Sequence, residues 1–599
     1  MPGIVGIVTT PAEANSQVAP ARSISEVVPH DPKWASYHWQ SLDKLCSMSC
    51  FGREYDTHSR IATQGDRTLL LDGELYRVGG NQAEFLLTKF VQEGASGLKQ
   101  IEGRFIAAIW NSSEKRLTLI TDKFASRPLY YRQLPNGFAF GSSINAIRSG
   151  VGISPPMNRD GLIQFFTFGH LWNDDTFYDG IKASYSASLI DYDALNHATS
   201  SIAYWMPGTL PNESSKAKSM ENLSESLANS VSMQTEDSRG LGVALSGGLD
   251  ARTVLGLVDL KQVHPDCVSL GMEGSLDQKS ARRLAELAGC KFHAFVLGEG
   301  FLEKFRDHVT RMVELTDGHY LSQCIVMPTF PLYQSLGIRA LLRGHAGELI
   351  HMHKAYNFSV DSTFKSVQTG AHLETWLAGR LQAYLTDGVE EPLLRGVSRE
   401  EFAHSGQQSL RKALTRTEAH ERPLDRLSRL FLEQRTRRET AMSMVKFNSV
   451  VEPRLPFLNG DFMDHVFAAD PSLRIGEAIQ TFMLRKYRPE FLKPANSNTG
   501  ASVGASWLVQ TVCYYRMRVF AKLGVKGYQP YERLGLWLKQ DLRAFVEEVL
   551  LDGQCLDRGL FNPDCVRAVV SRHMDSKANH TFLILAFMIV ELGLRRNQV

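Results

Sequence analysis

The stretch Gly242-Val243-Ala244-Leu245-Ser246-Gly247-Gly248-Leu249-Asp250 decides the fold of the larger part of this 599-residue chain. Its first four residues are small or apolar and read as a short buried strand, while Val254 and Leu257 beyond Asp250 recur at helical spacing. The strand therefore passes through a Ser-Gly-Gly turn directly into a helix. At such a junction glycines let the backbone approach an oxyanion. The Ser246 hydroxyl and the first N–H groups of the helix can hold pyrophosphate oxygens, and the Asp250 carboxylate can hold Mg2+. The alternative is a tight turn that merely needs two glycines, but Ser-Gly-Gly-x-Asp after a strand is more specific than a glycine pair. The turn lacks Gly-Lys-Ser/Thr and is not a Walker loop.

The same alternation continues outward. Apolar runs at 267–271, 292–297 and 340–342 alternate with helix-like segments at 252–260 and 278–288. That order predicts βαβ units and a parallel sheet whose ligands sit at the carboxyl ends of the strands. Gly344-His345-Ala346-Gly347-Glu348 follows the strand at 340–342, which puts Glu348 where it can complete a magnesium site with Asp250. Leu270-Gly271-Met272, at another strand end, offers small and apolar cover for an adenine, a weaker signal.

The first part of the chain has a different texture. Short apolar bursts at 4–8, 68–71, 105–110, 117–121, 129–131 and 138–140, bounded by Gly, Asn and Asp, predict antiparallel strands, with one helix at 83–93. A polar, turn-rich stretch between Ser200 and Ser224 marks a boundary, giving domains at 1–205 and 220–599. Beyond the parallel sheet the chain reads as mostly helical, and the basic run 435–438 reads as a solvated helix face.

Composition narrows the function. With 66 basic and 64 acidic residues well mixed, the chain carries neither a nucleic-acid stripe nor a polybasic membrane patch, so small or peptidic partners are expected. Eight cysteines without CxxC pairs signal neither a zinc site nor a disulfide framework and suit reduced thiols in the cytoplasm. Cys46 and Cys50, four apart, would share a helix face as a packed pair. The start Met1-Pro2-Gly3-Ile4-Val5-Gly6 has no signal-peptide features, and the longest apolar run, 582–590, is too short to span a bilayer.

Together with Val451-Glu452-Pro453-Arg454-Leu455-Pro456-Phe457-Leu458, these loops resemble the synthetase domain of the asparagine synthetase superfamily. That superfamily includes β-lactam synthetase, carbapenam synthetase and the lasso-peptide cyclases. The resemblance implies a PP-loop ATP pyrophosphatase fold with a helical C-terminal part. It also implies ATP cleavage to AMP and pyrophosphate, activation of a carboxylate as its acyl-adenylate, and attack by an amine. It places nucleotide contacts on Leu245, Ser246, Gly247, Gly248, Asp250, Ala251, Leu270, Gly271, Met272 and Gly344, and the metal on Asp250 and Glu348.

The first domain resembles the class II glutamine amidotransferase half of the same family, an Ntn-type antiparallel β-sandwich. The matching segments are 2–6, Asp72-Gly73-Glu74-Leu75-Tyr76, Thr121-Asp122-Lys123, Pro128-Leu129-Tyr130-Tyr131 and Phe138-Ala139-Phe140-Gly141-Ser142. Active members expose an N-terminal cysteine as nucleophile; here Pro2 stands there. The usual Asn-Gly-Glu has become Asp72-Gly73-Glu74, replacing an oxyanion donor by a carboxylate, and Gln82 stands where active relatives carry an aspartate. The domain is therefore expected to be a structural partner without glutaminase chemistry.

The expected activity is ATP- and Mg2+-dependent amide formation with an amine not drawn from glutamine, including intramolecular closure to a lactam or a peptide macrolactam. A precursor peptide and its processing peptidase are then candidate partners. An ammonia-dependent enzyme and a non-catalytic scaffold remain open. For deprotonating the amine, His345 stands where relatives carry glutamate or tyrosine, with Glu439 as its expected carboxylate partner and Glu433 as competitor; the alternative is a loop residue that packs near the phosphates. The family's lysine falls at Asn496, with Lys493 close by as a substitute.

Overall fold

A computed structural model of the chain describes residues 3–11, 34–53, 59–150, 155–213, 215–237, 240–298, 300–352, 360–381, 385–525, 527–528 and 533–596. Met1 and Pro2, the position of the expected missing nucleophile, lie outside them.

The apolar bursts of the first part become strands β1 (Gly3–Thr9), β2 (Ala35–Gln40), β3 (Cys46–Gly52), β4 (Ile61–Gln64), β5 (Arg67–Leu75), β6 (Gly103–Asn111), β7 (Arg116–Thr121), β8 (Tyr130–Leu134), β9 (Gly137–Gly141), β10 (Lys182–Ala183), β11 (Ser188–Asp193) and β12 (Ala198–Ala203). They form two antiparallel six-stranded sheets, ordered β10-β8-β9-β1-β3-β2 and β12-β11-β7-β6-β5-β4. Period-two alternation explains how they pack. Ile4 and Val8 of β1 join Ile106, Ala108 and Trp110 of β6 in the core between the sheets, while Val5, Ile7, Phe105, Ala107 and Ile109 face the other way into a second core. Both faces of these strands are thus buried, which is why their sequences read as continuous apolar bursts. Helix α1 (Gln82–Glu93) follows β5, capped by Asn81, whose side chain accepts from Glu84 N–H at 3.0 Å.

Cys46 and Cys50 lie on β3, not on a helix, and both are buried in the core between the sheets. Residues four apart share a face on a strand as well, so the packed-pair reading survives with different geometry.

The irregular boundary is shorter than the turn-rich composition suggests: β12 ends at Ala203 and helix α2 (Lys216–Thr235) begins under a Ser215 cap. Beyond it β13 (Leu241–Ala244), β14 (Asp266–Gly271), β15 (Phe292–Val296), β16 (Ala340–Leu342) and β17 (Glu452–Arg454) form a wholly parallel sheet ordered β15-β14-β13-β16-β17. Helices α3 (Leu249–Leu257) and α4 (Leu276–Leu287) fill the first crossovers. The helical remainder includes α5 (Pro423–Leu430), a π-helical segment Phe431–Thr440, α6 (Ala441–Asn448), α7 (Ala478–Tyr487) and α8 (Thr581–Arg596). The apolar run at 582–590 lies in α8 and is mostly buried. No helix among the described residues is long and apolar enough to cross a membrane.

One expectation is overturned. The run 435–438 is not a solvated face, because Arg437 and Arg438 are 4% and 6% exposed. Arg437 donates to the Ser184 carbonyl at 2.8 Å and to that of Asn173, and Arg438 to that of Asp175, so both guanidinium groups join the helical part to the first domain. Arginine, always charged and rich in donors, suits a buried junction whose partners are backbone carbonyls.

Candidate active site

A cavity of about 450 Å3 opens at the carboxyl ends of β13, β14 and β16, in the size range of small-molecule sites. Leu245, Val268 and Leu270 line it as an apolar wall; Ser246, Asp250 and Ala251 line it from the first loop, and Gly344, His345 and Glu348 from the second.

The two loops touch directly. A Cβ on Gly344 would lie 2.8 Å from Ala251 N, and one on Gly347 would lie 2.3 Å from Asp250 Oδ1. Glycine is required here because the second loop packs against the carboxylate at the start of α3. No side chain caps α3. Asp250 Oδ1 accepts from His351 Nε2 at 2.8 Å and from Gln480 Nε2 of α7 at 2.6 Å, while Oδ2 accepts no hydrogen bond among the described residues. Glu348 Oε2 is inaccessible and without a partner. Burial raises the Glu348 carboxyl above its ordinary range and the Asp250 charge raises it further. Two interacting carboxylates with donor-free oxygens form a site that favours a cation. Among the described residues no cluster of three or more His, Cys, Asp and Glu is placed to hold a metal, so any ion here would rely on this pair and on oxygens from a ligand.

The glycine turn is more occupied than its sequence suggests. Gly247 N–H donates to Asp277 Oδ1 at 2.9 Å, and Gly248 N–H to Ser246 Oγ at 3.1 Å. The Gly247 carbonyl accepts from Arg252 Nη2 at 2.9 Å and from Ser497 N–H at 3.1 Å. Arg252, fully buried, also binds the carbonyls of Phe491, Pro494 and Ala495, tying the turn to the segment after α7. Gly247, Gly248, Gly271 and Met272 shape the loops but do not line the cavity.

The expected base and its helpers are not assembled as the sequence suggested. His345 does line the cavity, but Arg343 Nε donates to its Nδ1 at 3.5 Å. Burial first, then the charges of Arg343, Lys446 and Arg435, push its pKa well below the ordinary value. Glu439 does not orient it, since that carboxylate pairs with Arg435 at 3.3 Å, and Glu433 is engaged with Arg429 at 2.5 Å. A histidine ringed by cations is held neutral by them, the opposite of a carboxylate-oriented base. Lys493 is exposed and off the cavity, and the buried Asn496 uses its Oδ1 to accept Asn498 N–H at 3.0 Å within its own turn. Sequence reading missed Arg343, Tyr320, Ser443 and Lys446, all of which line the cavity, and Asp277, His351 and Gln480, which brace the loops. A lone lysine on a helix carries no local signal, whereas Asp277, beside the Ser275 cap of α4 at a strand end, could have been singled out.

At the other end of the sheet, β17 contributes Glu452 and Arg454 to a buried ionic junction with the first domain. Glu452 accepts from Arg53 at 2.7 Å, Arg104 at 3.1 Å and Arg127 at 2.5 Å. Arg127 also donates to Asp72 at 2.8 Å, Arg60 to Asp72 at 3.0 Å, and Arg454 grips Glu74 through bonds of 2.9 and 2.6 Å. Burial works against the Glu452 charge, yet Arg127, Arg53 and Arg104 hold its pKa down from 4.5 to about 2. Gln82 accepts Leu75 N–H at 2.8 Å and donates to the Leu75 carbonyl at 2.9 Å, closing the turn after β5.

Comparison with known proteins agrees with both halves of this architecture. Residues 67–205 match a glutamine amidotransferase domain family and residues 222–493 the asparagine synthase family. The chain belongs to the asparagine synthetase superfamily. A probable glutamine-hydrolyzing asparagine synthetase of Acanthamoeba polyphaga mimivirus is 22% identical over 65% of this chain and 60% of its own length. Asparagine synthetase B of Escherichia coli is 24% identical over 51% of this chain and 52% of its own. A putative asparagine synthetase of Methanocaldococcus jannaschii is 24% identical over 33% of this chain. The chain spans about 39% of that relative's length.

Proposed function

We propose that this superfamily member is an ATP-dependent, AMP-forming amide synthetase that adenylates a carboxylate and couples it to an amine without hydrolysing glutamine. The observation that carries the reading is the convergence of Ser246, Asp250 and Glu348 from two strand ends on one cavity with an apolar wall. Leu245, Val268 and Leu270 would cover the adenine, and Ser246 with the uncapped start of α3 would hold phosphate oxygens. Asp250 and Glu348 would hold a magnesium ion, which when bound neutralises phosphate charge. In the first half-reaction a carboxylate oxygen attacks the α-phosphorus and pyrophosphate leaves. In the second an amine attacks the acyl carbon, the C–N bond forms and AMP leaves.

Three features support an amine source other than glutamine. Pro2 stands at the nucleophile's position, Asp72 is locked between two arginines, and Glu74 is held by Arg454. A substrate that carries its own amine, closing to a lactam or a peptide macrolactam, fits this loss because attack is then intramolecular. Precursor peptide and processing peptidase are the corresponding partners. The test is ATP–pyrophosphate exchange with purified protein against a panel of amino acids, β-amino acids and peptides. Exchange that depends on one carboxylate class supports the reading and selects the branch; no exchange with any of them overturns it.

A further inference from the structure

Lys446 differs from every other basic residue around the cavity. It lies on α6, one turn after Ser443 and two turns after Glu439, and both Ser443 and Lys446 line the cavity. The residue is 1% exposed, yet its Nζ makes no hydrogen bond or ion pair among the described residues; it lies over the Tyr320 ring, 4.3 Å from the centroid. Buried lysines are rare unless paired, so a lysine held at a cavity wall without an anion calls for a chemical reason. The groups facing it come from several elements: Arg343 from the loop after β16, Cys324 and Tyr320 from the segment before it, Glu439 from the π-helical segment and Ser443 from α6 itself. His345 senses its charge from across the second loop.

Burial, then the Arg343 guanidinium, pushes the Lys446 ammonium down to about 7, against the opposing pull of Cys324 and Glu439. A lysine beside another cation in a desolvated pocket is thereby made available as a neutral amine near physiological pH. The other cavity groups lack this property. Arg343 stays protonated. Burial raises the Tyr320 and Tyr333 hydroxyls, which disfavours their phenolate forms. His345 is neutral, but with Nδ1 accepting from Arg343 its Nε2 carries the hydrogen and has no lone pair for a second proton.

Resting on the adenylation reading above, we propose that Lys446 Nζ is the proton acceptor of the amide-forming half-reaction. The neutral Lys446 amine takes a proton from the attacking nitrogen as the C–N bond forms. The bond between the acyl carbon and the phosphate oxygen breaks, its electron pair leaving with AMP, and the proton stays on Lys446 until product release returns it to solvent. This assigns to α6 a role that neither Asn496 nor the exposed Lys493 is placed to fill.

The experiment separates the two half-reactions in the full-length protein, using the carboxylate that supports pyrophosphate exchange and its amine. Lys446→Arg keeps the positive charge but cannot lose its proton, and Lys446→Gln removes the charge. Both should lose about 10²- to 10⁴-fold in amide formation, the usual span for a missing general base, while exchange falls far less. In the wild type, amide formation should rise with pH through about 7 as Lys446 loses its proton, and exchange should lack that limb. Amide formation retained by Lys446→Arg would reduce the residue to a fixed positive charge, and equal loss of both activities would assign it to adenylation; either overturns the proposal. Should the variants not fold, a flat wild-type amide profile between about pH 6 and 8 overturns it as well. Absence of exchange in the wild type with every carboxylate would instead refute the adenylation reading itself.

Discussion

Two buried charge clusters flank the parallel sheet, and their contrast separates scaffold from site. At the β17 edge, Arg53, Arg60, Arg104, Arg127 and Arg454 meet Asp72, Glu74 and Glu452, and the excess positive charge is absorbed by carbonyls such as Asn448 O, 2.6 Å from Arg53, and Pro453 O, 2.6 Å from Arg104. At the carboxyl ends of β13 and β16 the same residue types are left unsatisfied. Glu348 has an orphan oxygen, Asp250 raises it further, and Lys446 has no anion. The first cluster is complete without a ligand and fixes one domain on the other. The second leaves polar groups without partners at a cavity, where the proposed function would seat its substrates.

The largest effect should come from the open cluster. Asp250→Asn and Glu348→Gln are expected to cut pyrophosphate exchange by about 10²- to 10³-fold or more, since each removes a negative charge from the pair proposed to hold the magnesium ion against the phosphates. Glu348→Gln should also raise the thermal midpoint at pH 7. The Glu348 carboxyl has a folded pKa above its unfolded one, so its ionisation costs stability as pH rises from the ordinary carboxylate range through that raised value. Calorimetry at pH 5 and 8 checks this, and a lower midpoint at both would show that Glu348 supports the fold.

The closed cluster should respond the other way. Glu452→Gln leaves Arg53, Arg104 and Arg127 without their shared carboxylate and is expected to cost about 3–5 kcal/mol, read from urea unfolding at pH 7. Glu452 titrates at about 2 in the folded protein, so its contribution is present above 4.5 and is lost as pH falls from 4.5 through about 2. The wild type should therefore lose the difference from Glu452→Gln in acid. A stability gap that persists at pH 2 would break the assignment.

His345→Ala should change exchange and amide formation each by less than about tenfold, because a neutral ring bonded to Arg343 is not placed to act as base. A selective loss of amide formation would return the base role to His345. Smallest of all, Asp72→Asn should release no glutamate from glutamine above buffer background, since restoring one amide supplies no thiol.

Much of this was legible before the fold was known. Four of the five strands of the parallel sheet fell within a residue or two of their expected bounds because short apolar runs between glycine turns and helical periodicity are local signals. That Asp250 and Glu348 lie close enough to interact followed from both lying at strand ends. Other features were not legible. β17 is a three-residue strand containing Pro453, with no period to detect, and it is recognisable only once β16 lies beside it. Arg437 and Arg438 look like surface residues until the backbone of residues 171–184 closes over them.

The sequence by itself determined which groups are on offer: a Ser-Gly-Gly turn after a strand, two carboxylates at neighbouring strand ends, and Asp72 and Glu74 in the first domain. Only the tertiary structure decided which charges are neutralised. Asp72 and Glu452 look no different in sequence from Glu348, and Arg437 no different from Lys446. What separates them is whether a counter-charge or carbonyl from another element of the fold stands within hydrogen-bonding distance. Coulombic and desolvation energies depend on that distance and on the exclusion of water, quantities that no local pattern of residues records.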